Sequence, residues 1–312
     1  MMASEAGKPQ GRLLLVGKWL WLLACAVVVI ELARRYWPKV ATQAGELAWW
    51  QLAISAMALV AGKLLLAVSA RHAVQSQGWR PQYMPLLAMV SLSQMGKYLP
   101  GGIWHFVGRA AMYSAHGLRP AAIAKGMMLE NGWQWGAALL VGAVFMLYSS
   151  YEYLHVSATR SVAVLVCGAA SALLWWIAFR WTWRRFAAVA GTDPLRNPWR
   201  VLLLQGAAWA CLGISFGVLF PMPSTFDDFM LAIGAFALAA VAGFLVPIAP
   251  AGLGVREVVL VALLARVLTA EQAAICAAVS RFIWLVVEAA LVLLLHGRSS
   301  ASGTTETAGT HA

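Results

Sequence analysis

The feature that most constrains this chain is a series of apolar runs, each long enough to cross a lipid bilayer. A helix needs about 20 apolar residues to cross roughly 30 Å of hydrocarbon. With 62% hydrophobic and only 11% charged residues, the chain is predicted to be an all-α, polytopic membrane protein with about six full spans. The predicted spans are Leu13–Ile30, Trp49–Val68, Ala121–Leu147, Ser161–Phe179, Val201–Phe220 and Ala273–Leu294.

Two further apolar stretches are broken by helix-disrupting residues. Pro85–Ala115 is interrupted at Pro100, and each of its arms has about 13 residues, which reach only about 20 Å. Arms this short predict a re-entrant hairpin, which enters the bilayer and turns back. Phe229–Leu268 is interrupted after Pro247 and is predicted to form a second hairpin. Its first arm of about 18 residues is nearly long enough to cross, so crossing stays open.

The order span, span, hairpin, span occurs twice along the chain. We therefore expect a first membrane repeat at 13–148 and a second at 161–297, between a cytoplasmic segment at 1–12 and a disordered tail at 298–312. Three spans per repeat is an odd number, so the second copy is inverted. The spacing Gly-x3-Pro-x8-Arg, which ends at Arg109 in one break and at Arg256 in the other, supports the match. Inverted repeats with interrupted helices are typical of secondary transporters.

Basic residues in the short loops predict the orientation. Five arginines lie between residues 180 and 200, whereas the 221–228 loop carries only Asp227 and Asp228. The first connection is therefore expected on the cytoplasmic side, together with both termini, although the basic 31–48 loop does not fit this alternation. We expect a multi-pass protein of the bacterial inner (cytoplasmic) membrane. The net charge of +11 is attributed to anionic lipid rather than to nucleic acid.

The two breaks predict an anion site in the membrane interior. Irregular backbone at this depth requires a polar or water-filled surrounding, and each helix that restarts after a break points its positive end inward. Cationic residues lie beside both breaks, and His105 and Arg109 share a helix face. The helix breakers are Pro100, Pro247 and Pro250. The predicted substrate-binding residues are Lys97, Tyr98, Gly101, Gly102, His105, Arg109, Glu130, Asn131, Gly252, Gly254, Arg256, Glu257 and Arg281.

Ionisable residues also occur inside the predicted spans. Glu130 lies near the midplane, where a carboxylate must be neutral or paired. It is predicted either to bind substrate, to carry a proton or to form a structural pair with Arg281 of the other repeat. Arg281 and Glu288 are two turns apart on one helix face. Lys63 lies near the far end of its span, where extension to the lipid headgroups and a functional role are equally compatible with its position.

Several motifs resemble the lysylphosphatidylglycerol synthase transmembrane region, also called the flippase-like domain family. The resemblance covers about residues 10–297 and depends on the stretches SLSQMGKYLPGGIWHFVGR and PIAPAGLGVREVVLVALL. It implies a domain that moves lipids between leaflets. Synthesis of lysyl-lipid is not implied, because no aminoacyl-transferase domain is expected after residue 297. The matching residues are Lys97, Tyr98, Pro100, Gly101 and Gly102 in the first motif and Pro250, Gly252, Gly254 and Glu257 in the second.

The leading hypothesis is therefore a transporter rather than an enzyme. Its expected partner is an anionic phospholipid or a polyprenyl-phosphate-linked lipid, and no cofactor or metal is expected. Two alternatives stay open: a membrane subunit that scaffolds glycolipid or polysaccharide biosynthesis, and a polyprenyl-phosphate-sugar transferase that uses Asp227 and Asp228. A homo-oligomer or a complex with a biosynthetic enzyme is also compatible with the sequence.

Overall fold

The computed structural model describes residues 47–98, 103–154, 198–221, 225–246 and 252–295, together with residue 177. By internal contacts the chain divides into Met1–Glu46 and Leu47–Ala312, and all described helices belong to the second unit. The predicted span Leu13–Ile30, all of the predicted span Ser161–Phe179 except residue 177, both terminal segments and the proline-containing segments at 99–102 and 247–251 lie outside the described residues. The limits of the two repeats and the orientation in the membrane stay predictions.

Eight α-helices and one short 3₁₀ helix form the described part of the chain, which confirms the all-α class there. The 3₁₀ helix, Met95–Tyr98, directly follows the second α-helix. In chain order the helices are α1 (Trp49–Gln75), α2 (Tyr83–Gln94), α3 (Trp104–Ala115), α4 (Pro120–Leu154), α5 (Pro198–Gly217), α6 (Phe226–Leu245), α7 (Val255–Leu264) and α8 (Ala270–Leu294).

Four of the described helices, α1, α5, α6 and α8, are long and apolar enough to cross a membrane. The chain is therefore a multi-pass membrane protein. Three of these helices confirm predicted spans, and the fourth, α6, is the first arm of the second broken stretch. The predicted span Ala121–Leu147 is helical within the 35-residue α4. It is not among the four because charged and amide side chains in its first half lower its hydropathy.

The two broken stretches differ in the lengths of their arms. Helices α2 and α3 have 12 residues each, which corresponds to about 18 Å and is too short to cross the hydrocarbon. In the second stretch α6 has 20 residues and α7 has 10. The first stretch thus has two short arms, as expected, whereas the second joins a full-length helix to a short one.

Small and polar residues hold the long helices together. Ala137 and Ala138 of α4 and Ala232 and Ala235 of α6 are almost completely buried, and residues this small allow helix backbones to approach closely. Hydrogen bonds connect α1 to α5, since Ser55 Oγ donates to the Ser215 carbonyl oxygen at 2.7 Å and Gln205 Nε2 donates to Ser69 Oγ at 2.7 Å. In hydrocarbon such bonds contribute to helix association.

An apolar cluster fixes the short helices against the long ones. Val74 of α1, Leu86 and Met89 of α2, Tyr113 of α3 and Ile123 of α4 are buried together. Within a bilayer, close van der Waals packing of such side chains stabilises the contact between helices. This cluster holds the first broken stretch beside α1 and α4, and so determines where Lys97 and Arg109 lie.

Candidate functional site

Glu288 of α8 is the centre of a charged group at the end of the first broken segment. Its side chain is 2% exposed and its Oε1 atom accepts hydrogen bonds from Lys63 Nζ at 2.6 Å and from Lys97 Nζ at 2.5 Å. Oε2 accepts a hydrogen bond from the Tyr98 hydroxyl at 2.8 Å. Lys97 and Tyr98 both belong to the 3₁₀ helix that follows α2. These two residues, which were predicted to bind substrate just before the first break, therefore lie in one site.

Trp284, one helical turn before Glu288, forms the aromatic part of the same site. Its indole nitrogen donates to Glu288 Oε1 at 2.7 Å. The Nζ atoms of Lys63 and Lys97 lie 4.6 Å and 5.1 Å from its ring centroid. At these distances a cation is attracted to the electron-rich face of the ring.

The second broken segment reaches the same tryptophan through Arg256, the second residue of α7. Its Cζ atom lies 5.4 Å from the Trp284 ring centroid and 4.2 Å from that of Phe236 on α6. Since Lys97 also contacts Trp284, the structure brings residues next to the two breaks to a single side chain of α8. Phe106 of α3 and Phe244 of α6 make a further edge-to-face contact between the two stretches, with centroids 6.4 Å apart.

Glu257 occupies the N-terminus of α7. Gly254 precedes this helix with a φ of +84°, a conformation that favours glycine. The Gly254 amide donates to Glu257 Oε2 at 2.7 Å, and Arg281 Nε of α8 donates to Glu257 Oε1 at 2.9 Å. A carboxylate of the chain itself therefore lies at the helix end where the sequence predicted a bound anion.

Arg256 differs from these neighbours because its guanidinium makes no hydrogen bond or ion pair within the described part of the chain. It lines a small cavity, with about 10 Å³ of internal room, next to Glu257, Arg281 and Trp284. That is space for about one water molecule. An arginine in this surrounding retains the capacity to bind an anion at its five N–H groups.

We call Lys63, Lys97, Arg256, Glu257, Arg281 and Glu288 the cationic cluster. It contains four cations and two carboxylates. Among the residues that the structure describes, Lys63 and Lys97 share one carboxylate, Arg281 has its own, and Arg256 has none. The group therefore carries an excess of two positive charges, which is an arrangement suited to an anionic ligand.

Arg109 and Glu130 form a separate buried pair. Arg109 is 3% and Glu130 6% exposed. Arg109 Nη1 donates to Glu130 Oε1 at 2.5 Å, and its Nε donates to Ser93 Oγ at 3.0 Å. The alternative pairing of Glu130 with Arg281 is wrong, because α3 supplies a nearer arginine to Glu130 and α7 supplies Glu257 to Arg281.

The remaining predicted residues fall into three groups. His105 stacks beside Phe106 with ring centroids 3.9 Å apart, and Asn131 Nδ2 donates to the Met127 carbonyl oxygen in its own helix at 2.7 Å; the structure does not bring either into the cationic cluster. Gly252 and Gly254 lie at the start of α7 with positive φ. The residues outside the described ranges are Pro100, Gly101, Gly102, Pro247 and Pro250.

The matched glycines of the two breaks, Gly96 and Gly243, lie at equivalent positions of the backbone. A Cβ atom on Gly96 would lie 2.7 Å from the backbone nitrogen of His105, nine positions later. A Cβ atom on Gly243 would lie 3.4 Å from the Cα of Gly252, also nine positions later. Each glycine thus lies where the helix before the break meets the segment after it.

Three members of this site were missing from the predicted set: Lys63, Trp284 and Glu288. Lys63 and Glu288 are charged residues inside predicted spans. This position alone indicated that each has a partner, because an ionisable residue at membrane depth needs one. No sequence pattern indicated that these two residues form a pair, since they are 225 positions apart. Trp284 had no distinguishing signal among the 16 tryptophans.

The acidic pair Asp227 and Asp228 takes part in helix structure. Asp228 Oδ2 accepts from the Thr225 amide at 2.9 Å, and the Asp228 amide donates to Thr225 Oγ1 at 3.2 Å. This reciprocal arrangement is a capping box at the start of α6. Among the residues that the structure describes, no group of three or more His, Cys, Asp or Glu side chains is placed to hold a metal ion.

Comparison with known proteins finds no family model that matches this chain and no curated protein that is related to it. The resemblance to the flippase-like domain family therefore stays a prediction from the motifs.

Proposed function

We propose that this protein is a flippase-like transporter that moves an anionic phospholipid or a lipid-linked sugar intermediate between the leaflets of the membrane. The observation that carries the proposal is the excess of two cations in the cationic cluster, and above all Arg256, which has no carboxylate partner among the described residues. An uncompensated charge in a low-dielectric surrounding is costly. Such a charge is expected where a ligand supplies the counter-ion during function.

The composition of the site favours a phosphate group as this ligand. Arg256 offers a planar set of N–H donors that matches phosphate oxygens, and Lys63 and Lys97 offer point charges beside it. Trp284 contacts all three cations and provides an apolar surface beside them. The exposed side chains of Phe282, Leu285 and Val286 lie on other faces of the same helix and give the lipid tails an apolar surface at the level of the headgroup site.

Both broken segments supply residues to the site, which suits alternating access. Lys97 comes from the first segment and Arg256 from the second, and they meet at Trp284. In transporters built from repeats, movement of one repeat against the other opens a central site to each side in turn. Glu257 and Glu288 serve as internal counter-ions that hold the cations when no phosphate is bound.

The test is headgroup accessibility in proteoliposomes that contain the purified protein and a labelled anionic lipid. We expect the wild-type protein to accelerate transfer between leaflets above the protein-free rate. Arg256→Gln is expected to reduce this rate by about tenfold or more, since it removes charge-assisted hydrogen bonds of about 1.5–3 kcal/mol. The matched control is Arg266→Gln, which removes an exposed arginine just after α7 and leaves the cluster intact.

Two results would contradict the proposal. One is a folded wild-type protein that leaves every anionic lipid and lipid-linked sugar tested at its protein-free rate. The other is equal transport by the Arg256→Gln and Arg266→Gln variants, which would favour the scaffold interpretation. Retention of the same elution volume and melting temperature by both variants shows that any difference arises from the site.

A further inference from the structure

We infer that the transported lipid presents two negative charges on phosphate, as a phosphomonoester or a diphosphate does, rather than the single charge of a phosphodiester. The inference rests on the proposed function and specifies its substrate class. It follows from the number of cations in the cationic cluster that have no carboxylate of their own.

The first uncompensated cation lies at Glu288. Lys63 and Lys97 both donate to one oxygen, Oε1, of this carboxylate, so two ammonium groups share a single negative charge. Trp284 and Tyr98 donate to the same carboxylate and add hydrogen bonds but no charge. A second anion placed beside the two lysines would give each ammonium a partner.

The second uncompensated cation is Arg256. Its contacts in the described ranges are with the rings of Phe236 and Trp284, which attract a cation without neutralising it. The neighbouring pair of Arg281 and Glu257, whose Nε and Oε1 atoms are 2.9 Å apart, is neutral and does not change the net charge of the cationic cluster. The cluster therefore lacks two negative charges, and both missing charges belong to cations in contact with Trp284.

A ligand of matching charge completes the cluster. A phosphodiester such as phosphatidylglycerol supplies one negative charge and leaves one cation uncompensated, which is costly beside the buried Glu288 carboxylate and its two lysines. A phosphomonoester carries close to two charges above its second pKa of about 6, and a diphosphate carries at least as many. A soluble phosphate compound shares this chemistry but lacks the tails that would lie on the apolar face of α8.

The experiment measures lipid binding to the purified full-length protein by native mass spectrometry. Dioleoyl phosphatidic acid, a phosphomonoester, is compared with dioleoyl phosphatidylglycerol, a phosphodiester with the same tails, at about pH 8 where the monoester is doubly charged. We expect phosphatidic acid to bind at least about tenfold more tightly. Inorganic phosphate at the same concentration is expected not to displace it; displacement would overturn the assignment to a lipid.

Variants of Lys63 test the charge count itself. Lys63→Gln leaves one uncompensated cation, so the preference for phosphatidic acid is expected to fall from about tenfold to about twofold or less. Lys63→Arg keeps the charge and is expected to keep the preference. The control is Lys125→Gln on α4, because Lys125 makes no hydrogen bond or ion pair in the part of the chain that the structure covers.

The outcomes separate this inference from the proposed function. Equal binding of the two lipids by the wild-type protein would overturn the inference and leave the transporter proposal standing. An unchanged preference in a folded Lys63→Gln variant would also overturn it. Binding of neither lipid above the level of Arg256→Gln would overturn both.

Discussion

The two broken segments share a glycine, proline and arginine spacing but place their arginines in opposite electrostatic surroundings. Arg109 is almost fully buried and joined to Glu130 of the next helix at 2.5 Å. Arg256 rests on two aromatic rings and has no carboxylate partner within the described ranges. The two matched glycines lie where the segments before and after each break come into contact, so the shared spacing reflects this backbone contact. The partner of each arginine is determined by the helices packed around it.

The largest effect is expected from breaking the pair at Arg109. Arg109→Gln leaves the Glu130 carboxylate buried without its counter-ion, and loss of one partner of a buried pair costs about 3–5 kcal/mol. We expect the free energy of unfolding to fall by this amount, as measured by denaturant titration in detergent micelles. The double variant Arg109→Gln with Glu130→Gln is expected to recover about 2 kcal/mol or more, since no buried charge remains.

A control for this prediction lies in the same core. The Tyr113 hydroxyl is buried and has no hydrogen-bond partner among the described residues, so Tyr113→Phe removes a polar group that contributes no bond. We expect its free energy of unfolding to equal or exceed that of the wild-type protein. A loss for Arg109→Gln no larger than that for Tyr113→Phe would show that the pair does not stabilise the fold.

The second largest change in the free energy of unfolding is expected at the matched glycines, Gly96 and Gly243. Variants at these positions test the backbone contact at each break. A Cβ atom on Gly96 would lie 2.7 Å from backbone atoms of α3, so Gly96→Ala is expected to cost about 1–3 kcal/mol through overpacking. A Cβ atom on Gly243 would be no closer than 3.4 Å to its neighbours. Gly243→Ala is therefore expected to be neutral or to stabilise α6 by up to about 1 kcal/mol.

The Gly96→Ala and Gly243→Ala variants are compared by their melting temperatures in the same detergent. Gly108→Ala on α3 serves as the reference, because a Cβ atom there meets no atom within 4 Å. The expected order of melting temperatures places Gly96→Ala lowest. A Gly96→Ala protein as stable as Gly108→Ala would mean that α2 and α3 are further apart than the structure shows.

The sequence predicted the helices and the breaks better than it predicted the partners. Hydropathy and helix breakers are local properties, so the 12-residue arms and the spans α1, α5 and α8 followed from runs of residue types. Ion pairs depend on which helices meet. Lys63 and Glu288 are 225 positions apart, and no pattern indicates that α1 and α8 pair there. At the start of α7, where the sequence predicted an anion site, the Glu257 carboxylate accepts from the amide of Gly254 three residues before it, and an acidic residue in the first turn of a helix could have indicated this contact.

A smaller effect is expected at Glu257, where the second segment does contain an ion pair. Its side chain and that of Arg281 are 27% and 23% exposed, so solvent screens their interaction. Glu257→Gln loses the charge at the N-terminus of α7 as well as the pair, and is expected to lower the free energy of unfolding by about 1 kcal/mol. Denaturant titration of this variant beside Arg109→Gln compares an exposed pair with a buried one. Equal losses would contradict the difference in burial.

The smallest effect on stability is expected at Arg256, the counterpart of Arg109. Arg256→Gln loses contacts with Phe236 and Trp284 of about 0.5–1 kcal/mol each, but it also removes a cation that repels Lys97 and Arg281. These contributions oppose each other, so the melting temperature without added lipid should change little, whereas the rise on addition of phosphatidic acid should be strongly reduced. Differential scanning fluorimetry with and without the lipid measures both quantities. If Arg256→Gln destabilised the lipid-free protein as severely as Arg109→Gln, both arginines would be structural, because a cation whose counter-ion comes from a ligand contributes little to the stability of the protein without that ligand.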